Sequence, residues 1–229
     1  MSSEIPPSRP EPSAATKLQI LATEHWSLLA TRSLTYNESL TRVNIFLTIL
    51  SGAVITLALV AQVDRFGATF TTIAIPMLVI VLYAGLATIA RLMHLNRDDY
   101  RWVVGMNRLR HAYLELHPDL EPDFVTSPYD DLPGALQTLG IDDAGAGAGV
   151  GSVFHLPQTL PGMLGVIVAA VAAAIGALGA LALGVPGPGV GLAAIGGFVL
   201  LEVLIWIWSR RAYTRVSPIL QPRFPSPPS

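Results

Sequence analysis

The chain has 229 residues, of which 52% are hydrophobic and 13% charged, with a formal net charge of −2 and no cysteine. A near-neutral balance argues against a nucleic-acid partner, and the missing thiols exclude disulfides, thiolate catalysis and cysteine-ligated zinc. So apolar a composition also leaves too little polar chain to cover a water-soluble core.

In chain order, residues 1–13 are rich in proline, serine and glutamate and predict a disordered N-terminus. Residues 14–43 then predict an amphipathic helix on the cytosolic side. Its broken apolar stripe is Leu18, Leu21, Trp26, Leu28, Leu29, Tyr36, Leu40 and Val43, interrupted by His25 and Arg32. A first transmembrane hairpin follows over 44–93, from the apolar runs Asn44–Val63 and Ala68–Ala90. Each run is close to the roughly 20 residues needed to cross a bilayer. Pro76 falls in the second run and predicts a bend there.

Between Leu86 and Gly105 there is neither proline nor glycine, so the second span is expected to continue as a helix over 94–118 until the His117-Pro118 step stops it. Leu92, Leu95, Trp102, Met106, Leu109, Tyr113 and Leu116 recur along it at helical spacing, the first six forming a candidate assembly face. The helices before and after the first hairpin run antiparallel and can zip together. Either they pack within one subunit or the seam is shared between subunits.

Residues 119–160 read as an acidic and Gly-rich linker, opened by Asp119, Glu121, Asp123, Asp130 and Asp131 and closed by the run Ala144–Ser152. Within it a short helix is expected from Asp131 to Leu139, capped by Asp131 and presenting Leu132, Leu136 and Leu139 on one face. The second hairpin occupies 161–209, with apolar runs Met163–Val185 and Val190–Trp208. Gly165, Ala169, Ala172, Gly176 and Gly179 or Ala180 mark a close-packing face, which Gly191, Gly196 and Gly197 extend to the fourth span. The tail over 210–229 is basic, then proline-rich, and is expected to be disordered from Pro218 onward.

Orientation follows from the basic residues. Thirteen of the fourteen Lys and Arg flank one side of these spans, and Arg65 alone lies in a hairpin tip. That places both termini and the central segment in the cytosol. Only Lys17 is a lysine, a usage that points to a GC-rich bacterium and hence to its inner, or cytoplasmic, membrane. No cleavable leader is legible before the first span, which is therefore expected to insert as an internal anchor.

Four candidate features carry the chemistry. Glu202 is the one acid inside a span, where an ionised carboxylate costs about 2.5 to 3.5 kcal/mol to insert. It is either part of an ion path or a structural group, paired with Arg91 or hydrogen-bonded to Thr48 or Thr88. Arg97, Arg101, Arg108 and Arg110 form an inner-surface basic group, suited to anionic lipid or phosphate and equally to neighbouring acids. The five histidines lack metal-ligand spacing. No cofactor fingerprint, P-loop or nucleophile elbow occurs, so neither a cofactor nor an enzymatic activity is expected.

The segments Thr23–Ser39 and Trp102–Tyr113 resemble those of uncharacterised actinobacterial-type four-span membrane proteins, a likeness that covers about residues 20–130. The order of helix, two spans and returning helix is also similar to the SLATT-type bacterial membrane effectors, which implies pore formation. The second hairpin departs from that two-span pattern.

The sequence thus predicts an all-α integral membrane protein, four transmembrane helices in two hairpins with a cytosolic antiparallel helical hairpin. Its expected partners are the lipid bilayer and further copies in a homo-oligomer, with a protein at the cytosolic helices as a further candidate. Two functions fit: a channel- or pore-like assembly gated by the cytosolic module, or a non-conducting scaffold or accessory subunit.

Overall fold

The structure, a computed structural model, describes residues 13–140, 159–213 and 221–227. The expectations for residues 1–12, for the run Ala144–Ser152 and for 214–220 lie outside the described residues. Five α-helices account for most of what is described: α1 (Ala14–Asp64), α2 (Ala68–Leu116), α3 (Leu132–Leu139), α4 (Leu160–Ala182) and α5 (Gly187–Tyr213). A 3-10 turn covers Pro118–Asp123, and no strand occurs among the described residues. α1, α2, α4 and α5 are each long and apolar enough to cross a bilayer, so the chain is a polytopic membrane protein.

α1 starts where Ser13 Oγ accepts the Thr16 amide at 3.2 Å, a helix cap, and then runs 51 residues without a break. The chain reverses at Arg65 and Phe66, both at positive φ, and Asp64 Oδ2 accepts the Phe70 amide at the start of α2. α2 runs 49 residues, with Pro76 inside it, and stops ahead of Pro118.

The chain divides into two compact units. The membrane unit comprises residues 34–99 and the described part of 159–213. Its core joins Val43, Phe46 and Ala53 of α1 to Leu78, Val81, Ile89, Leu92 and Leu95 of α2, Leu164, Val168 and Val171 of α4, and Ile205 of α5. Two stretches read from sequence as parts of the cytosolic hairpin, 34–43 and 94–99, therefore belong to this unit. Their buried Val43 and Leu95 continue the apolar core of the spans.

α4 begins at Thr159, whose hydroxyl accepts the Gly162 amide, and ends in a motif where Gly184 donates to Leu181 and Val185 to Ala180. α4 and α5 then meet backbone to backbone. A methyl group on Gly176 would fall 2.6 Å from the Ala193 carbonyl oxygen, and one on Gly197 would fall 2.8 Å from that of Ala172. The two glycines are reciprocal, each seated on the other helix. Gly179, Gly191 and Gly196 face open space, whereas Gly165 lies against Ile205 and Glu202 of α5, so the small-residue face runs through Gly165, Ala172, Gly176 and Gly197.

The extramembrane unit comprises residues 13–33, 100–140 and 221–227 among those described. Its core is Val103, Val104 and Met106 of α2 with Ala135 of α3, packed by Leu28 of α1, Tyr100 and Leu139. α3 is capped by Asp131, whose Oδ1 accepts the Gly134 amide at 2.9 Å. The face it buries is Gly134 and Ala135, whereas Leu132 is exposed. A side chain at Gly134 would lie 2.3 Å from the Tyr129 carbonyl oxygen, so α3 settles on the loop before it by glycine rather than by leucine.

The reciprocal glycines make a prediction for the α4–α5 hairpin. Gly176→Ala and Gly197→Ala should each lower stability by about 1 to 3 kcal/mol through overpacking, whereas Gly179→Ala, Gly191→Ala and Gly196→Ala should be neutral or better. Thermal unfolding in one detergent checks this; equal losses at all five positions would contradict the packing.

Candidate functional site

Glu202 sits on α5 against α4, its Oε1 within 3.9 Å of where a Gly165 side chain would begin. That oxygen is buried without a hydrogen-bond partner, and so is Nε1 of Trp206, one turn along. Arg210 lies over the Trp206 ring at 4.9 Å.

The pairing of Glu202 with Arg91 expected from sequence is not formed. Arg91 is committed to Glu38 of α1 instead, in a two-point bond of Nε to Oε1 at 2.9 Å and Nη2 to Oε2 at 3.0 Å. Thr48 and Thr88 do not reach Glu202 either; each hydroxyl donates to its own helix, to Asn44 O and Ala84 O respectively. The reason is local geometry, since a helical threonine finds the carbonyl four residues back before any other acceptor.

Glu38 also receives Arg42 Nε at 2.8 Å, one turn further along α1. The Arg91 and Arg42 hydrogen bonds hold its carboxyl at a pKa of about 2. The signal for Glu38 in the sequence is its spacing of four from Arg42, whereas its pairing with Arg91 spans 53 residues.

The candidate assembly face on α2 is occupied from within the chain. Leu92 and Leu95 lie in the core of the membrane unit and Met106 in that of the extramembrane unit. Trp102 and Leu109 are partly buried, and Tyr113 stacks between His25 at 6.0 Å and Phe124 at 6.4 Å. Within the chain, α1, α3 and the adjoining turn pack against the part of this stripe that lies in the extramembrane unit.

Outside the spans, α1 exposes Ile20, Leu34 and four further apolar side chains, and Leu120, Val125 and Leu132 are exposed beyond α2. Trp26, Leu29, Tyr36 and Leu40 are 71%, 43%, 61% and 37% exposed. His25 and Arg32, which interrupt the stripe in sequence, take partly buried positions instead. Burial, with Arg110 nearby, lowers the pKa of His25 below its ordinary value.

Two members of the basic group are turned toward protein. Arg110 Nη1 donates to Asn107 Oδ1 at 2.7 Å, and Arg108 Nε donates to Asp130 Oδ2 at 2.6 Å. Arg97 is partly exposed and Arg101 exposed. Asn107 itself is fully buried and saturated. Its Nδ2 donates to Tyr129 O and Gly134 O, and its Oδ1 accepts from Thr138 Oγ1 as well as Arg110. One amide side chain thereby ties α2 to α3 and to the loop before it.

That loop delivers a feature missed in the sequence. The Asp130 side chain is completely buried and accepts the backbone amides of Arg223 (2.9 and 3.0 Å) and Phe224 (2.7 Å). Its own amide donates to Phe224 O, and Arg108 Nη2 donates to Gln221 O. Asp131 Oδ2 accepts both the amide and the hydroxyl of Ser226, while Phe224 stacks on His111 with ring centres 3.9 Å apart.

The described part of the tail is therefore docked, and Asp130 and Asp131 are not linker acids in solvent. Proline content predicts disorder here, yet the segment bends at Arg223 and Phe224, which turns their consecutive amides toward Asp130. Burial pushes the Asp130 carboxyl up, but the Arg223 amide, Arg108 and the Phe224 amide together hold its pKa below the ordinary value.

Among the described residues, no three His, Asp or Glu side chains are grouped as a metal ion would require.

Because the folded Glu38 has a pKa below its ordinary 4.5, the α1–α2 tie it makes contributes fully above about pH 4.5. It is lost as the pH falls from there toward 2. Thermal stability of the detergent-solubilised protein should show that decline, and Glu38→Gln should flatten it; identical profiles would count against the pairing.

Compared with known proteins, the chain matches no protein family, no curated protein and no solved structure.

Proposed function

We propose that this membrane protein is a non-conducting scaffold that self-associates through α1 and presents its extramembrane unit to a protein partner. The supporting observation is exposure along α1 of Trp26 and Leu29 in the extramembrane unit and of Tyr36 and Leu40 in the membrane unit, at sequence steps of three, seven and four residues. Those steps are the a and d positions of a heptad seam, whose natural occupant is the same helix of a second copy. Bilayer lipid is a poor alternative cover for the end of the row at Trp26. Trp26 precedes the first apolar run by 18 residues, about 27 Å along a helix, beyond the interfacial layer of roughly 6 Å.

On the arginine distribution, this unit faces the cytosol of a bacterium, with the spans in its cytoplasmic membrane and both termini inside. No enzymatic role is assigned to it. The protein's mass in nanodiscs tests the reading. Wild type should be a dimer or larger, and Trp26→Ser with Tyr36→Ser should yield monomers with unchanged helix content. A monomeric wild type, or an unaltered double variant, removes the support.

A second reading, a conducting oligomer, draws on the buried, unpartnered Glu202 oxygen within a span and on the likeness to SLATT-type effectors. An intramembrane acid of this kind commonly marks an ion path. Planar-bilayer recording distinguishes the two: conductance that Glu202→Gln reduces at least tenfold favours the channel, and silence of the wild type favours the scaffold.

A further inference from the structure

We infer that the Asp130–Asp131 corner of the extramembrane unit is a binding site for linear peptides, filled here by the chain's own residues 221–227. The recognised pattern is an aromatic residue followed by proline and serine, with the chain bent so that the amide of the aromatic and the one before it converge on Asp130.

The corner is built for this task. Asp130 is removed from solvent and fixed by Arg108, so its two oxygens present a rigid acceptor pair to consecutive amides. Its own amide returns a hydrogen bond to the Phe224 carbonyl. Main-chain bonds of this kind supply affinity without regard to sequence, and side-chain pockets then supply the selection.

Two such pockets are present. His111 offers a flat face to Phe224, and Asp131 Oδ2 takes both donors of Ser226. The spacing of aromatic and serine is fixed, because Asp130 and Asp131 are adjacent and Oδ1 of Asp131 is already spent capping α3. Arg223, Pro225 and Pro227 are exposed and unread by side chain. A peptide of another protein with the same pattern would therefore satisfy every bond that the tail makes, and would have to displace it.

Serine at the second pocket also makes occupancy sensitive to charge. A phosphate on that hydroxyl would remove the donor and set a dianion against Asp131, which repels it. The resident tail has the advantage of tethering, equivalent to roughly millimolar peptide, so a free peptide competes poorly until the tail is weakened.

The test uses the full chain in nanodiscs and a fluorescein-labelled peptide of residues Gln221–Pro227, read by anisotropy. The Phe224→Ala chain, whose own tail has lost its aromatic anchor, should bind the peptide at least about tenfold more tightly than wild type. Replacing the peptide's arginine with alanine should leave binding unchanged, since only its amide is used. Phosphorylating the peptide's serine should abolish binding. The proposal is overturned if the Phe224→Ala chain does not bind the peptide, if wild type binds it equally well, or if the phosphorylated peptide binds as tightly as the plain one.

Discussion

Within hydrocarbon a polar group has no water to turn to, and every hydrogen bond must be found inside the protein. Four helices meet that demand for the backbone, and the hydroxyls of Thr48, Thr56, Thr72 and Thr88 meet it by bonding to carbonyls one turn back. With those groups satisfied locally, the spans have few polar means of recognising one another. Packing must provide the specificity, and in α4 and α5 it does so through two glycines that let each backbone rest on the other.

Charge obeys the same rule by staying at the margin. Arg91 lies just past the second apolar run and Glu38 just before the first, and their two-point bond ties α1 to α2 outside the hydrocarbon. Glu202 is the departure, a span carboxyl with one oxygen buried and unpartnered. Its neighbour Trp206 shares that condition, so the two define the least satisfied point of the membrane unit.

In the extramembrane unit the polar groups do the organising. The apolar core there is small, and the fully bonded Asn107 fixes α3 and its preceding loop on α2 more narrowly than Val103 or Met106 could. A buried amide with each hydrogen bond made favours one arrangement, because any other leaves donors or acceptors unsatisfied. Asp130 extends that network to the C-terminal segment. The unit thus holds its C-terminal segment through Asp130 and Asp131, while Trp26 and Leu29 on its own stretch of α1 stay exposed.

Helix number, the two hairpins and the extent of the apolar runs were legible in the sequence, since each depends on local composition and length alone. The α3 cap at Asp131 and the stop before Pro118 were legible for the same reason. Which side of a helix is covered was not, because hydrophobicity ranks residues without naming their neighbours. His25 and Arg32 went inward and Trp26 and Tyr36 outward, contrary to polarity. Pairings between distant residues were equally hidden: Arg91 found Glu38 rather than Glu202, and Asp130 found residues 93 and 94 positions away. A carboxylate in sequence carries only its charge, and its choice among several donors is made by the approach of backbones that tertiary structure alone brings together.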